Sequence, residues 1–308
     1  MRFRFSGVRS WGRVGLFTDM SDLTSSVRFS RIATNGIHLH VAEAGPPDGP
    51  LVILLHGFPE FWYGWRNQIA PLAARGFHVI APDQRGYNLS DKPEGIASYD
   101  LDLLAADVIG LADHFERQTF ALVGHDWGSA VGWWTAGLYP GRVERLAILN
   151  APHPAVWLEA VRNNPVQRRK SSYVRLFGIP WLPEFLIRLS RFQALARAFR
   201  DSVRPGAFTD ADLKAYSAAW SQPGAITAMI HYYRAALRRQ FAPAAEYRIS
   251  SPVLIIWGPL DVYVIPQLAE ASKNLCDDGR IVWLDNATHW VQHDQPERVA
   301  ELLTDFLR

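Results

Sequence analysis

The five residues Gly124-His125-Asp126-Trp127-Gly128 constrain the fold of this chain more than any other stretch. They have the form G-x-Nu-x-G, in which two glycines let a strand turn sharply into a helix and push the middle side chain out at the sheet edge. Such a turn needs a buried strand before it and a helix after it. The sequence supplies both: Phe120-Ala121-Leu122-Val123 precedes and Ser129 to Ala136 follows. The exposed residue is an aspartate where an esterase would carry serine. A carboxylate ionised at neutral pH displaces a leaving group at saturated carbon and forms an alkyl ester.

The rest of the chain fits a strand-turn-helix architecture. Continuous apolar runs at 51–55, 77–80, 120–123, 146–149, 253–257 and 281–284 read as strands buried on both faces. Residues 37–41 alternate, as in a half-exposed strand. Amphipathic stretches at 62–74, 101–116, 128–138 and 297–307 lie between or after them. Alternating strand and helix predicts an α/β fold with a doubly wound, mostly parallel sheet. The alternation stops between about Ala151 and Arg248, where helical periodicity continues without a strand. An insertion of that length after one sheet strand predicts a helical lid over the strand ends, where open α/β sheets bind ligands.

Composition narrows the class. Of 308 residues, 48% are hydrophobic and 20% charged, enough for one large core and an added subdomain. The net charge of +2 gives no reason to expect nucleic acid or an anionic membrane as partner. No apolar run reaches the ~20 residues that a spanning helix needs. The single cysteine, Cys276, has no internal disulfide partner and fits a reducing, cytoplasmic setting. It has no Cys or His at metal spacing and reads as incidental. Residues 1–26, with Arg2, Arg4, Arg9 and Arg13, lack a secretory apolar segment and read as a disordered tail.

Three elements should gather around Asp126. His289, in the loop after the last predicted strand, is the candidate base for activating water. Asp261 follows the preceding strand and is placed to orient that imidazole. Asp285 and Asp294 are its rivals; Asn150, at the end of another strand, cannot supply charge. The backbone N–H groups of Trp127 and of Phe58, in the loop after the first buried strand, are placed to form an oxyanion hole.

These motifs carry a resemblance. His56-Gly57-Phe58-Pro59-Glu60, Asp83-Gln84-Arg85-Gly86-Tyr87, Gly124 to Gly128, Asn150-Ala151-Pro152-His153-Pro154 and His289-Trp290 resemble the epoxide hydrolase group of the α/β-hydrolases, from about Arg28 to the C-terminus. The resemblance implies an eight-stranded sheet with helices on both faces. It implies a core at 27–152 and 247–308, a helical cap at 153–246, and a cis Phe58–Pro59 peptide. It also implies two cap tyrosines that donate to the departing epoxide oxygen, matched here by Tyr173 and Tyr233. Tyr232 is the neighbour to be told apart from Tyr233. Adjacent helical residues point ~100° apart, so only one of the two faces the nucleophile. The implied reaction joins a small apolar epoxide to water without cofactor or metal, in a monomer or homodimer. Phe58, Trp127 and Trp290 would wall an apolar pocket.

Bland readings stand beside these. Aspartate between glycines is commonly a turn residue, lid tyrosines are often packing residues, and Arg168, Arg169 and Lys170 read as a solvated face. His56 and His125 are expected to hold loops, and His153 the start of the lid. Thr288 before His289 and Val174 after Tyr173 depart from the group's common glycine and polar residue. A haloalkane dehalogenase shares the aspartate chemistry but needs halide donors, and Phe58 has no side-chain N–H to offer. A non-catalytic binding protein on the same fold would have no need of the acid–histidine pair.

Overall fold

The apolar runs become the centre of one eight-stranded sheet. The computed structural model describes residues 27–308; the reading of residues 1–26 as a tail falls outside them. The strands are β1 (Arg28–Thr34), β2 (Ile37–Ala44), β3 (Leu51–Leu55), β4 (His78–Pro82), β5 (Phe120–His125), β6 (Val143–Leu149), β7 (Val253–Trp257) and β8 (Gly279–Trp283). Their spatial order is β1-β2-β4-β3-β5-β6-β7-β8. Strands β3 to β8 run parallel, while β2 pairs antiparallel with β4 and β1 antiparallel with β2. Every residue of β3, β4, β5 and β7 is buried, so both sheet faces are covered there. That is the environment for which continuous Val, Ile and Leu runs are selected.

Three strands differ from the sequence reading, among them β6, which starts at Val143, three residues before its apolar run. β1 was not anticipated, because it is a largely exposed edge hairpin strand without an apolar run. β8 starts two residues earlier than expected and is half-exposed rather than buried on both faces, as its place at the other edge dictates.

Thirteen α-helices occur among the described residues. In the core, α1 (Arg66–Ala73) follows a 3-10 turn at Trp62–Trp65, α2 spans Leu101–His114, and α3 (Trp127–Leu138) packs on β5 and β6. Between β6 and β7 come seven helices and no strand: α4 (Pro154–Asn163), α5 (Pro165–Lys170), α6 (Ser172–Gly178), α7 (Leu182–Leu189), α8 (Gln193–Ser202), α9 (Asp210–Trp220) and α10 (Ala225–Arg238). The core resumes with α11 (Gln267–Lys273), α12 (Val291–Asp294) and α13 (Pro296–Leu307), the last packed on α1.

Buried side-chain hydrogen bonds pin the inserted helices to the core. Trp220 Nε1 donates to Pro59 O at 2.6 Å, Tyr216 Oη to Glu60 at 2.7 Å, and Tyr63 Oη to Asp212 at 2.9 Å. Tyr232 Oη donates to Arg85 O at 2.7 Å. Arg85 is itself clamped by both oxygens of Asp107 on α2, at 2.6 and 2.7 Å. Each such bond contributes about 1 kcal/mol net and costs more if one partner is left buried and unpaired. His153 caps α4, its Nδ1 accepting from Ala155 N at 3.3 Å, and burial lowers its pKa to about 3, so it stays neutral to do so.

Candidate active site

The turn after β5 takes the strained form that its sequence implies. Asp126 has φ 50° and ψ −118°, a left-handed conformation rare for a side chain with a Cβ. The two flanking glycines are required by close approach: a methyl on Gly124 would strike the Gly128 backbone, and one on Gly128 would strike Leu55 O. Gly57 is fixed for the same reason, since a methyl there would overlap the Asp126 carboxylate. The turn at Asp126 and the loop after β3 are therefore in backbone-to-side-chain contact.

That contact orients the carboxylate. Phe58 N–H donates to Asp126 Oδ1 at 2.7 Å, next to the cis Phe58–Pro59 peptide. Trp127 is the first residue of α3, so its N–H has no partner within the helix. Asp126 Oδ2 faces the other way, 3.6 Å from His289 Nε2. About a fifth of the Asp126 side chain is accessible, against 4% for His289 and none for Asp261. The aspartate at the elbow is thus the reachable carboxylate and the other two groups sit behind it.

His289 Nδ1 donates to Asp261 Oδ2 at 2.7 Å. The Asp261 carboxylate is held on every side. Oδ1 accepts from the backbone of Tyr263 (2.7 Å) and Val264 (3.0 Å), and Oδ2 also accepts from Asn150 Nδ2 (2.9 Å). Burial pushes its pKa up, but the His289 charge and these donors outweigh burial and hold the carboxyl below its ordinary range. Burial likewise opposes charge on His289, yet Asp261 and Asp126 together raise its pKa to about 10. The rival acids are elsewhere: Asp285 is exposed, and Asp294 accepts from Thr288 N and Oγ1, both at 2.6 Å. Thr288, a departure from the group's glycine, therefore ties down the histidine loop through its hydroxyl.

Two cavities, of about 90 and 190 Å³, share Asp126, Tyr173, Tyr233 and Tyr263 in their walls. The larger is also walled by Phe58, His289 and Trp290, the smaller by Trp127 and Asn150. Tyr173 on α6 and Tyr233 on α10 stand edge to face with ring centres 5.9 Å apart, and the Trp127 ring stands edge to face 5.0 Å from Tyr233. Burial, followed by neighbouring groups that include the Asp126 charge, raises both phenols above their ordinary pKa. Tyr232 turns away to Arg85 O. Trp290 donates Nε1–H to Ser202 Oγ at 2.8 Å and packs beside His289.

Sequence reasoning passed over Tyr263 and Gln167, and weighed Asn150 only as a rival acid. Asn150 bridges Asp261 Oδ2 and the Gly258 backbone, accepting from Gly258 N at 2.8 Å. Tyr263 sets its ring 5.1 Å from the His289 ring. Gln167, on α5, clamps the acid loop by donating to Tyr263 O and accepting from Ile265 N, both at 2.9 Å. Lys170 corrects an expectation: rather than lying on a solvated face, it donates to Asp261 O at 2.6 Å. Position at a strand end was the available signal for Asn150; the others show no local one.

A buried acid–histidine pair thus lies beneath an accessible aspartate, with two phenols in the same cavity walls. Known proteins share this arrangement's framework. Residues 50–296 match the family model described as alpha/beta hydrolase fold. The chain is 46% identical to the AB hydrolase superfamily protein YfhM of Bacillus subtilis, over 92% of this chain and 98% of that one. It is 37% identical to human Epoxide hydrolase 4, over 91% of this chain and 78% of the relative. Among solved structures, the inhibitor-bound Bacillus megaterium epoxide hydrolase superposes with a TM-score of 0.82 at 33% identity, covering 90% of this chain and 99% of the other. The chain belongs to the α/β-hydrolase family, and within it to the epoxide hydrolase group.

Proposed function

We propose that this protein hydrolyses epoxides to vicinal diols through an ester on Asp126, with residues 153–246 acting as the cap. Asp126 Oδ2 attacks a ring carbon, the C–O bond breaks, and Tyr173 and Tyr233 supply a hydrogen bond and then a proton to the departing oxygen. Ester formation removes the Asp126 charge that helps hold the proton on His289. His289 then releases its proton, which restores the phenol, and becomes a neutral base. It takes a proton from water, and the hydroxide adds to the ester carbon of Asp126. The resulting oxyanion is the former Oδ1, already facing Phe58 N–H, with Trp127 N–H as second donor. Collapse releases the diol, its alkoxide protonated by His289.

The observation that carries this reading is the pair of phenols sharing the cavity walls with Asp126. A haloalkane dehalogenase would want N–H donors for halide. Trp127 can supply one, but Phe58, at the position of the partner donor, has no side-chain N–H. The names of the relatives support the same class. The test is incubation with styrene oxide and with 1-bromobutane. Diol from the first and no bromide from the second is expected; bromide without diol overturns the reading in favour of a dehalogenase. Neither product, together with tight binding of styrene oxide, overturns it in favour of a binding protein.

A further inference from the structure

The chain-wide charge of +2 hides a separation. Residues 153–246 carry fourteen Lys and Arg against six Asp and Glu, a net +8. Residues 27–152 and 247–308 together carry fourteen against twenty-two, a net −8. The inserted helices are thus a basic layer on an acidic core.

The same layer bears a concentrated apolar surface. Seven of the sixteen large apolar side chains exposed among the described residues fall within positions 176–189. Scattered exposed apolar residues are ordinary, whereas a contiguous patch marks a binding surface. Helix α7 is inverted for a helix facing water. It buries its acid, Glu184, and turns Leu182, Phe185, Leu186 and Leu189 outward. The inversion is fixed rather than incidental. Glu184 is paired inside with Arg234 of α10, whose guanidinium also donates to Phe177 O (2.9 Å) and Ile179 O (2.8 Å). Trp181, at the head of α7, adopts φ 59° and is 83% exposed. Between these side chains and α10 runs a groove of about 670 Å³, lined by Trp181, Phe185, Leu189 and Leu237 with Arg188 and Arg238 along it. Exposed Arg175 and Arg191 flank the patch in sequence. Among the described residues, none of these four arginines has a carboxylate within ion-pair distance.

We propose that this face of the inserted helices docks on a bilayer surface containing anionic phospholipid. Trp, Phe and Leu on one face, bordered by arginines, is the composition that seats in the headgroup boundary, with the guanidinium groups meeting phosphate. Charge decides against a second copy. A two-fold contact through this face would bring two basic layers together, and pairing this basic layer with another copy's acidic core is a head-to-tail contact that need not close. No helix among the described residues is long and apolar enough to cross a membrane, so the contact is peripheral. Tyr173, Phe177 and Tyr233, on the cavity side of α6 and α10, lie in the same helical layer. Docking therefore brings the cavity close to the phase in which apolar molecules dissolve. The proposal does not depend on the reaction assigned above.

The test is flotation of the full chain with phosphatidylcholine vesicles, with and without phosphatidylglycerol. Binding at least about tenfold tighter with phosphatidylglycerol, and weakened by added salt, is expected. The Trp181→Glu/Phe185→Glu variant should lose about tenfold or more of that binding while keeping its styrene oxide turnover. Arg175→Glu/Arg191→Glu, at exposed positions, tests the same face should the first variant not fold. Failure of the parent chain to float with either vesicle overturns the proposal. So does equal binding to both vesicles, or undiminished binding by the folded variants, which would point to another surface. A dimer in light scattering that Phe185→Glu dissociates would assign the face to a second copy instead.

Discussion

Replacing Asp261 with asparagine should separate the two halves of the reaction, and the structure says in which direction. Oδ1 of residue 261 accepts from two backbone N–H groups, Tyr263 at 2.7 Å and Val264 at 3.0 Å. An asparagine must keep its carbonyl there, which puts its NH2 in the place of Oδ2. That NH2 meets the Asn150 NH2, at 2.9 Å in the parent, and His289 Nδ1, at 2.7 Å. It presents a donor to Nδ1, so the imidazole carries its proton on Nε2, where it cannot accept one from water. The charge lost is also large. Two unit charges 2.7 Å apart interact by about 6 kcal/mol at an effective dielectric of ~20. Both effects fall on the hydrolytic step, for which a loss of about 10³–10⁴-fold is expected. Alkylation of Asp126, which needs the phenols and the carboxylate, should fall less than about tenfold. Single-turnover mixing with styrene oxide, followed by intact-mass measurement, reads both steps: the protein should accumulate the mass of one substrate on Asp126. Turnover reduced less than about tenfold, or alkylation slowed as much as hydrolysis, would refute the assignment of Asp261 and the tautomer argument together.

Four further outcomes follow from named contacts. His289→Gln should trap the ester on Asp126, and a tryptic adduct on any other residue would contradict the nucleophile. Tyr173→Phe and Tyr233→Phe should each slow alkylation by about 10–10²-fold in stopped-flow measurements, whereas Tyr232→Phe should change it less than about twofold while costing about 1 kcal/mol in urea denaturation, because its hydroxyl serves Arg85 O. Asn150→Asp sets a carboxylate within about 3 Å of Asp261 Oδ2 and should lower stability by about 2–3 kcal/mol, with a larger loss toward alkaline pH as both acids ionise. His289 provides the pH test. Its folded pKa, about 10, lies above its ordinary 6.5. Its contribution to stability is thus complete below about 6.5 and drains away as pH rises toward 10. Asp126→Asn removes two of the contributions that raise it, and nitrogen NMR of the imidazole should show deprotonation at lower pH than in the parent.

Much of this protein is written locally. Five-residue runs of Val, Ile and Leu can be satisfied only where both faces are covered, so the sheet centre is legible in composition alone. The glycines around Asp126 are fixed by steric approach within one turn, and the turn announces an exposed carboxylate before any contact is known. The edge strand β1 was not legible, because it buries little and carries no apolar run, and β8 was legible as a strand but not as a half-exposed edge. What only the tertiary structure decided are the relations between distant segments. Asn150, Asp261 and His289 come from the ends of three strands, and their hydrogen bonds exist only because β6, β7 and β8 lie side by side. The partner of Tyr232, the neighbour of Tyr233, depends on which face of α10 meets the Arg85 carbonyl. Lys170 and Gln167 look like surface residues until α5 is laid against the acid loop. The charge separation was present in the sequence all along, but an average of +2 conceals it. It becomes a property of a surface only when one continuous insertion folds into one layer, since charge acts through distance in space and not along the chain.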